Sequence, residues 1–152
     1  MSLTIRRIGC CGMRAPGFLL LTLASLVFPH ALLADYIAPE KLPGIILISP
    51  EQLINLSQRT KVVIVDSRLA VDRKQGHIET SVGLPDTVTD CDSLATLAPR
   101  TATPLLFYCN GPKCPRSSRA ATIAHACGYA KVFWLRGGFD EWKQKKYPYL
   151  KQ

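Results

Sequence analysis

Two cysteines lie five residues apart in a segment that also carries three cationic side chains. Cys109 and Cys114 are accompanied by Lys113, Arg116 and Arg119. The thiolate is the nucleophilic form of cysteine, and nearby positive charge lowers the pKa of a thiol. These residue types therefore predict nucleophilic sulfur chemistry on an anionic substrate.

The elements on both sides of this segment position the first cysteine. An apolar run over residues 104–108 predicts a buried strand that ends at Cys109. Small helix-forming residues over 117–127 predict a helix, which we expect Ser117 to cap and Gly128 to terminate. A thiol at a helix N-terminus meets free backbone N–H groups and the positive end of the dipole, which both favour the thiolate.

The rest of the chain alternates between strand and helix patterns. We predict further strands at 44–48, 61–66, 82–85 and 131–135, and helices at 50–57, near 70–75, at 92–97 and at 139–145. Ser49 is the expected cap of the first helix, with Pro50 at its first position. This alternation predicts an α/β fold with a largely parallel sheet and helices on both faces.

The first 34 residues have the pattern of a secretory signal peptide. Three arginines precede an apolar stretch over 18–33, no acidic residue occurs there, and the expected cleavage follows Ala34. We therefore predict export, to the periplasm, followed by an extended leader over 35–43. The alternative is an uncleaved membrane anchor that leaves the domain facing the periplasm. The apolar stretch is shorter than the roughly 20 residues of a typical spanning helix.

Charge and cysteine content limit the function classes. The formal net charge is +8, and without the signal it falls to +5, with 16 basic against 11 acidic side chains. The charges are scattered, so we expect no nucleic-acid partner. Four cysteines remain, which permit disulfides in an exported domain. We interpret Cys127 as a buried apolar residue, and Cys91 as a residue whose partner the sequence does not name.

Several ordered motifs then resemble the single-domain rhodaneses, a sulfurtransferase family. The resemblance covers residues 44–148, and we assign the domain to 44–150. The motifs in chain order are Val65-Asp66-Ser67-Arg68, Gly76-His77-Ile78, Tyr108-Cys109, Arg116-Ser117 with Ala120-Ala121, and Leu135-Arg136-Gly137-Gly138 with Trp142 and Tyr147-Pro148.

The resemblance implies a five-stranded parallel sheet and a cysteine that carries sulfane sulfur as a persulfide. Cys109 would be the nucleophile, and Arg116-Ser117 would close the loop onto the helix. Asp66 and Arg68 would shape the neighbouring edge of the site. The candidate residues that contact the substrate around the loop are Asn110, Gly111, Lys113, Arg119, Arg68 and Asp66.

The loop departs from the family pattern, in which four residues separate the cysteine from an arginine. Here six residues separate Cys109 from Arg116, whereas four separate Cys114 from Arg119. Both cysteines therefore stay candidates for the nucleophile, with Cys109 preferred. We interpret Cys114 as a resolving thiol that forms a disulfide with Cys109; a second persulfide carrier and an inert loop residue are the alternatives.

The resemblance implies a small anionic sulfur donor such as thiosulfate, and a thiol, cyanide or protein acceptor. We expect no cofactor and no metal. Membrane contact is expected only if the signal is retained. Rival interpretations are a thiol–disulfide redox or sensing module that uses Cys109 and Cys114, a non-catalytic interaction domain, and a phosphatase or arsenate reductase. The last is disfavoured by both loop lengths.

Overall fold

The computed structural model describes residues 35–98 and 103–151, where five strands form one parallel sheet. In chain order they are β1 (Ile46–Leu47), β2 (Val63–Asp66), β3 (Val82–Gly83), β4 (Leu105–Tyr108) and β5 (Val132–Leu135). The strand order is β1-β5-β4-β2-β3, and every neighbouring pair is parallel. The α/β fold with a five-stranded sheet is confirmed, and β4 lies at its centre.

In the described residues four α-helices connect these strands, and a fifth follows β5. They are α1 (Pro50–Arg59), α2 (Ala70–Lys74), α3 (Cys91–Leu97), α4 (Arg116–Ala126) and α5 (Gly138–Gln144). The predicted cap of α1 is confirmed, because the Gln52 N–H donates to Ser49 Oγ at 3.3 Å and the Ser49 N–H donates to Gln52 Oε1 at 2.8 Å. Gly128 follows α4 with a φ of +90°, as expected for a helix-terminating glycine.

Alternate side chains of the central strands build one core on each face of the sheet. Val65, Leu105 and Phe107 pack with α3 and with the alanines of α4. Ile64, Leu106 and Tyr108 pack on the opposite face with Leu53 of α1 and with the aromatic residues of α5. Because both faces are covered, these strands are continuously apolar rather than alternating.

A disulfide joins Cys91 at the start of α3 to Cys127 at the end of α4, with the Cα atoms 5.5 Å apart. The interpretation of Cys127 as a buried residue is confirmed, but the interpretation that it is only a small apolar side chain is wrong, because it forms a disulfide. Cys127 does lie in the core of the α4 face, where Cys91 packs against it from α3. The sequence places the two cysteines 36 residues apart, so only the tertiary packing of the two helices selects this pair.

The predicted leader contacts the domain through its backbone. Ala38 is 2 % exposed, and its N–H donates to the Pro112 carbonyl at 2.7 Å. Arg136, just after β5, donates to the carbonyls of Ala38 and Pro39, each at 2.8 Å. The segment therefore lies against the loop that follows β4.

The predicted signal peptide lies outside the described residues. Within the ranges that are described, no helix has the length and apolar character required to cross a membrane.

Candidate active site

The loop between β4 and α4 carries both candidate cysteines, and α5 fixes its beginning. The carbonyls of Cys109 and Asn110 accept hydrogen bonds from the Phe139 and Asp140 N–H groups, both at 2.8 Å. Gly138 has a φ of +60°, and a Cβ at this position would collide with the same two carbonyls. Only glycine therefore allows the start of α5 to approach the loop this closely.

Cys109 and Cys114 form a disulfide, with their Cα atoms 6.2 Å apart. This separation is within the usual range for the bond. Cys109 is completely buried, whereas Cys114 is half-buried. The Cys114 N–H donates to the Gly111 carbonyl at 2.9 Å, which closes a turn inside the loop. The structure thus brings together the two residues that the sequence offered as nucleophile and resolving thiol.

Helix α4 begins directly after this turn, but without the predicted serine cap. Pro115 is the capping residue and has no side-chain hydrogen bond to offer. Ser117 lies inside the first turn, where its Oγ accepts the indole N–H of Trp134 at 3.0 Å. The prediction that Ser117 caps α4 is therefore wrong, because the buried indole of β5 requires an acceptor and takes this hydroxyl.

The two arginines of α4 bind a single carboxylate that sequence reasoning missed. Asp86 lies in a short 3₁₀ turn (Asp86–Val88), which was not predicted. Its oxygens contact Arg116 Nη1 at 2.7 Å and Arg119 Nη2 at 2.9 Å. The Asp86 side chain is 4 % exposed, so this negative charge is held close to both guanidinium groups. The lysine of the loop, Lys113, is exposed and lies 3.8 Å from an exposed Asp35.

Asp66 and Arg68 form a buried ion pair at the neighbouring end of β2. Arg68 donates to Asp66 from Nε at 2.8 Å and from Nη2 at 2.7 Å, and its Nη1 reaches Asn110 Oδ1 at 3.3 Å. Burial favours the neutral acid, but the hydrogen bonds and charge of Arg68 outweigh it and lower the pKa of Asp66. The guanidinium carbon of Arg68 also lies 4.4 Å from the ring centroid of Phe139, so this aromatic face stabilises the charge in addition to Asp66 and Asn110.

Tyr108 extends the same network immediately before Cys109. Its hydroxyl donates to Asp66 Oδ2 at 2.8 Å and accepts the Ile78 N–H at 3.2 Å. Burial, followed by the negative charge of Asp66, raises the pKa of Tyr108 to about 12. Arg73 also donates to Asp66 at 3.2 Å. These contacts fix the ends of β2 and β4 beside each other, which indicates a positioning role for Asp66.

Ser67 is a buried serine that directly follows β2. Its N–H donates to the Tyr108 carbonyl at 2.9 Å, so the parallel pairing continues one residue beyond the strands. Asp66 and Tyr108 meet on one face, and alternation directs Ser67 and Cys109 to the opposite face. Ser67 Oγ is buried and has no hydrogen-bond partner among the described residues. It is therefore available to a ligand of the loop.

One cavity borders the start of the loop, and another lies beside α4. One, of about 360 Å³, is lined by Arg68, Asn110, Phe139 and the lysines of the neighbouring α5 and C-terminal segments. The other, of about 460 Å³, lies between the leader and α4 and includes Ser118 and Arg119. Neither cavity includes Cys109. Among the described residues no group of three or more histidine, cysteine or acidic side chains is arranged to hold a metal ion.

The family is decided by a match of the sequence profile described as "Rhodanese-like domain", which covers residues 49–145. The chain belongs to the rhodanese-like domain family. The matched segment begins at the cap of α1 and ends just after α5, so it includes the whole loop with both cysteines. The resemblance seen in the sequence is thereby confirmed for a single rhodanese domain.

Solved structures of low sequence identity share this fold. The BH2092 protein of Bacillus halodurans is 22% identical with a TM-score of 0.63, over 70% of this chain and 77% of its own. A thiosulfate sulfurtransferase of Pseudomonas aeruginosa is 23% identical with a TM-score of 0.62, over 71% of this chain and 20% of its own. A polysulfide-sulfur transferase homodimer of Wolinella succinogenes is 17% identical with a TM-score of 0.59, over 72% of this chain and 80% of its own.

No curated protein matches this sequence significantly. The assignment to the rhodanese-like domain family therefore rests on the profile match and on the shared fold.

Two further residues that sequence reasoning left without a role are Arg136, which binds the leader, and Asp86, which binds the α4 arginines. An unbalanced cluster of cations at 113–119 signals that an acidic partner is needed, but nothing local in the sequence identifies it as Asp86.

Proposed function

We propose that this protein is an exported rhodanese-type sulfurtransferase, or persulfide carrier, with Cys109 as its nucleophile. The observation that carries the proposal is the position of Cys109: it ends the central strand, and its sulfur is bonded to a residue two positions before α4. The sulfur is thus held at the N-terminal end of an 11-residue helix, where peptide N–H groups favour a thiolate.

The reaction transfers one sulfur atom in two steps. The Cys109 thiolate attacks the sulfane sulfur of thiosulfate, a new S–S bond forms, and sulfite leaves with the electron pair of the broken S–S bond. A thiol or cyanide acceptor then attacks the outer sulfur of the persulfide and regenerates the Cys109 thiolate. A protein thiol is an acceptor of the same chemistry. No cofactor takes part in either step.

Anion binding in this proposal depends on the loop and the first turn of α4. The N–H groups of Arg116, Ser117 and Ser118 find no backbone acceptor among the described residues, since they begin the helix. Arg116 lies beside them, and its charge is balanced by Asp86. Lys113 and Arg119 are exposed and contribute a screened attraction, while Asn110 and Gly111 shape the loop.

The test is mass spectrometry of the reduced protein after addition of thiosulfate, together with a sulfite assay. We expect sulfite from wild type and from Cys114→Ser, one added sulfur that is retained on Cys114→Ser, and neither sulfite nor added sulfur with Cys109→Ser. Because the two variants each remove one loop cysteine, they are matched controls for each other. A sulfur that is still acquired by Cys109→Ser would move the nucleophile to Cys114 and contradict the assignment.

A thiol–disulfide redox or sensing module is the second candidate, and the Cys109–Cys114 disulfide favours it. It predicts a reversible dithiol with a measurable reduction potential and no sulfite release from thiosulfate.

Export, and with it a periplasmic location, rests on the pattern of residues 1–34. Fractionation of cells that express the full chain tests it, and accumulation in the cytoplasm without cleavage would contradict it.

A further inference from the structure

The two sulfurs of the loop disulfide differ in solvent access. Cys109 is completely buried, whereas Cys114 is half-buried. We propose that Cys114 discharges the Cys109 persulfide as hydrosulfide, so that this protein is a dithiol-dependent reductase of sulfane sulfur. This inference rests on the proposed function, since it begins from the same persulfide. It assigns a chemical class to the final acceptor, which is a dithiol that reduces the loop disulfide.

The discharge step balances without any external oxidant. The Cys114 thiolate attacks the inner sulfur, Sγ of Cys109, and the Cys109–Cys114 bond forms. The bond between Sγ and the outer sulfur breaks, and the outer sulfur leaves with the electron pair as hydrosulfide. The two cysteines are oxidised to a disulfide, and the sulfane sulfur is reduced to sulfide. Attack on the outer sulfur would instead only move the persulfide to Cys114.

The geometry of the loop supports attack on the inner sulfur. The bond present in the structure is the product of that attack, and it forms within the native loop with a Cα separation of 6.2 Å. Three contacts or constraints hold this conformation: the turn from Cys114 to Gly111, the hydrogen bond from Ala38 to Pro112, and the fixed φ of the loop prolines. The two sulfurs are therefore preorganised for exchange, which raises their effective concentration.

The difference in exposure also decides which sulfur is attacked in the return step, in which an external dithiol reduces the Cys109–Cys114 disulfide. In the disulfide-bonded loop an external thiolate reaches the sulfur of Cys114, because Cys109 presents no accessible surface in this form. The first exchange joins the reductant to Cys114 and expels the Cys109 thiolate, which is the nucleophile needed for the next donor. The second thiol of the reductant then attacks the mixed disulfide, releases the Cys114 thiolate and leaves the reductant oxidised. A dithiol completes this step within one molecule.

The second disulfide provides a contrast and a matched control. Cys91 and Cys127 are 36 residues apart in sequence and link two helices, so their bond restricts the unfolded chain much more than a bond across five residues does. The Cys91–Cys127 disulfide therefore has a structural role, which is to stabilise the packing of α3 against α4. The short loop bond adds little of that kind, and its position on the nucleophile indicates chemistry.

The experiment is a single turnover of the pre-reduced protein with one equivalent of thiosulfate, with sulfite and sulfide both measured. Wild type and the Cys91→Ser/Cys127→Ser variant should release one sulfide per sulfite and end with the Cys109–Cys114 disulfide, located by peptide mapping. Cys114→Ser should release sulfite and keep a stable persulfide on Cys109. Its sulfide-to-sulfite ratio should fall from about one to below about one tenth, because intramolecular attack is lost.

The outcomes separate this inference from the proposed function. Sulfite release with a persulfide that persists in wild type, or equal sulfide release by Cys114→Ser, overturns the discharge step and leaves the sulfurtransferase standing. Absence of sulfite from both proteins overturns the proposed function itself. The return step is tested with a monothiol on the oxidised protein: the mixed disulfide should map to Cys114, and a mixed disulfide at Cys109 would contradict the proposed direction.

Discussion

Tyr108 gives a prediction whose magnitude follows from its surroundings. Its hydroxyl is buried and donates to the Asp66 carboxylate, and burial together with this negative charge raises its pKa to about 12 from the ordinary tyrosine value of 10.0. The protonated phenol is therefore favoured in the folded protein. Between these two pKa values the unfolded chain binds fewer protons than the folded one, so stability is full below pH 10 and falls as the pH rises toward 12.

The size of the effect at pH 11 follows from the linkage relation. With pKa values of about 10 and about 12 for the unfolded and folded states, this one group removes about 1.4 kcal/mol from the free energy of unfolding. Tyr108→Phe should abolish that alkaline loss. At pH 7 the same substitution should lower the free energy of unfolding by about 2–4 kcal/mol, because a hydrogen bond to a carboxylate is lost and the buried Ile78 N–H loses its acceptor.

The assay is urea unfolding of the oxidised protein at several pH values between 8 and 11. Tyr129→Phe is the matched control, because Tyr129 is equally buried and its hydroxyl donates to the neutral Ala98 carbonyl at 3.0 Å. This control should lose about 1 kcal/mol at pH 7 and keep the part of the alkaline decline that comes from Tyr108. Equal alkaline slopes in the two variants would refute the argument, since the variants share every titrating group except Tyr108 and Tyr129.

Two further predictions concern the second disulfide and the acidic partner of α4. Replacement of Cys91 and Cys127 by serine should lower the free energy of unfolding by about 3–4 kcal/mol and Tm by roughly 10 °C, measured by calorimetry. A loss no greater than that of a Cys109→Ser/Cys114→Ser protein would contradict the entropic argument. Asp86→Asn should release Arg116 and lower the thiosulfate KM about threefold at low salt, with less effect at high salt. A raised KM in steady-state kinetics would show that Asp86 supports the site rather than competes for its cation.

The architecture followed from the sequence because its central strands are covered on both faces. Residues 62–65 and 104–108 are continuously apolar, which is typical of buried parallel strands, and both form strands at the expected places. The five strand patterns and the resemblance agree on the number of strands. The strand order was not predictable from pattern, because a period of two is the same at the centre and at the edge of a sheet, and only the crossovers distinguish them.

Predictions from local sequence failed where a residue distant in sequence bonds to the side chain in question. Ser117 has the right type for a cap, but the buried indole of Trp134 binds its hydroxyl and α4 begins one residue earlier. Cys127 has the right surroundings for an apolar residue, but α3 brings Cys91 within bonding distance. Four cysteines allow three complete pairings, and the sequence did not choose among them.

The sequence predicted which arginines lie at the site, but it did not predict which carboxylates neutralise them. Arg68 was assigned to the edge of the site, and its guanidinium is bound by Asp66, Asn110 and the Gly76 carbonyl. Arg116 was assigned to the loop, and Asp86 binds it from a segment 30 residues earlier. Sequence shows which residues carry charge, whereas only the packed structure shows which charges remain for a substrate.

The enlarged loop has few anion donors of its own. Of the six residues between Cys109 and Arg116, two are prolines without an N–H, and the Cys114 N–H donates to Gly111. Three loop N–H groups therefore remain, and the nearby guanidinium groups are already paired. The two additional residues therefore add few N–H donors, but the longer loop carries a second cysteine, Cys114, whose sulfur bonds to that of Cys109. That arrangement leaves most of the anion binding to the first turn of α4 and favours a dithiol as the final acceptor, and the sulfide-to-sulfite ratio of a single turnover tests this choice of acceptor directly.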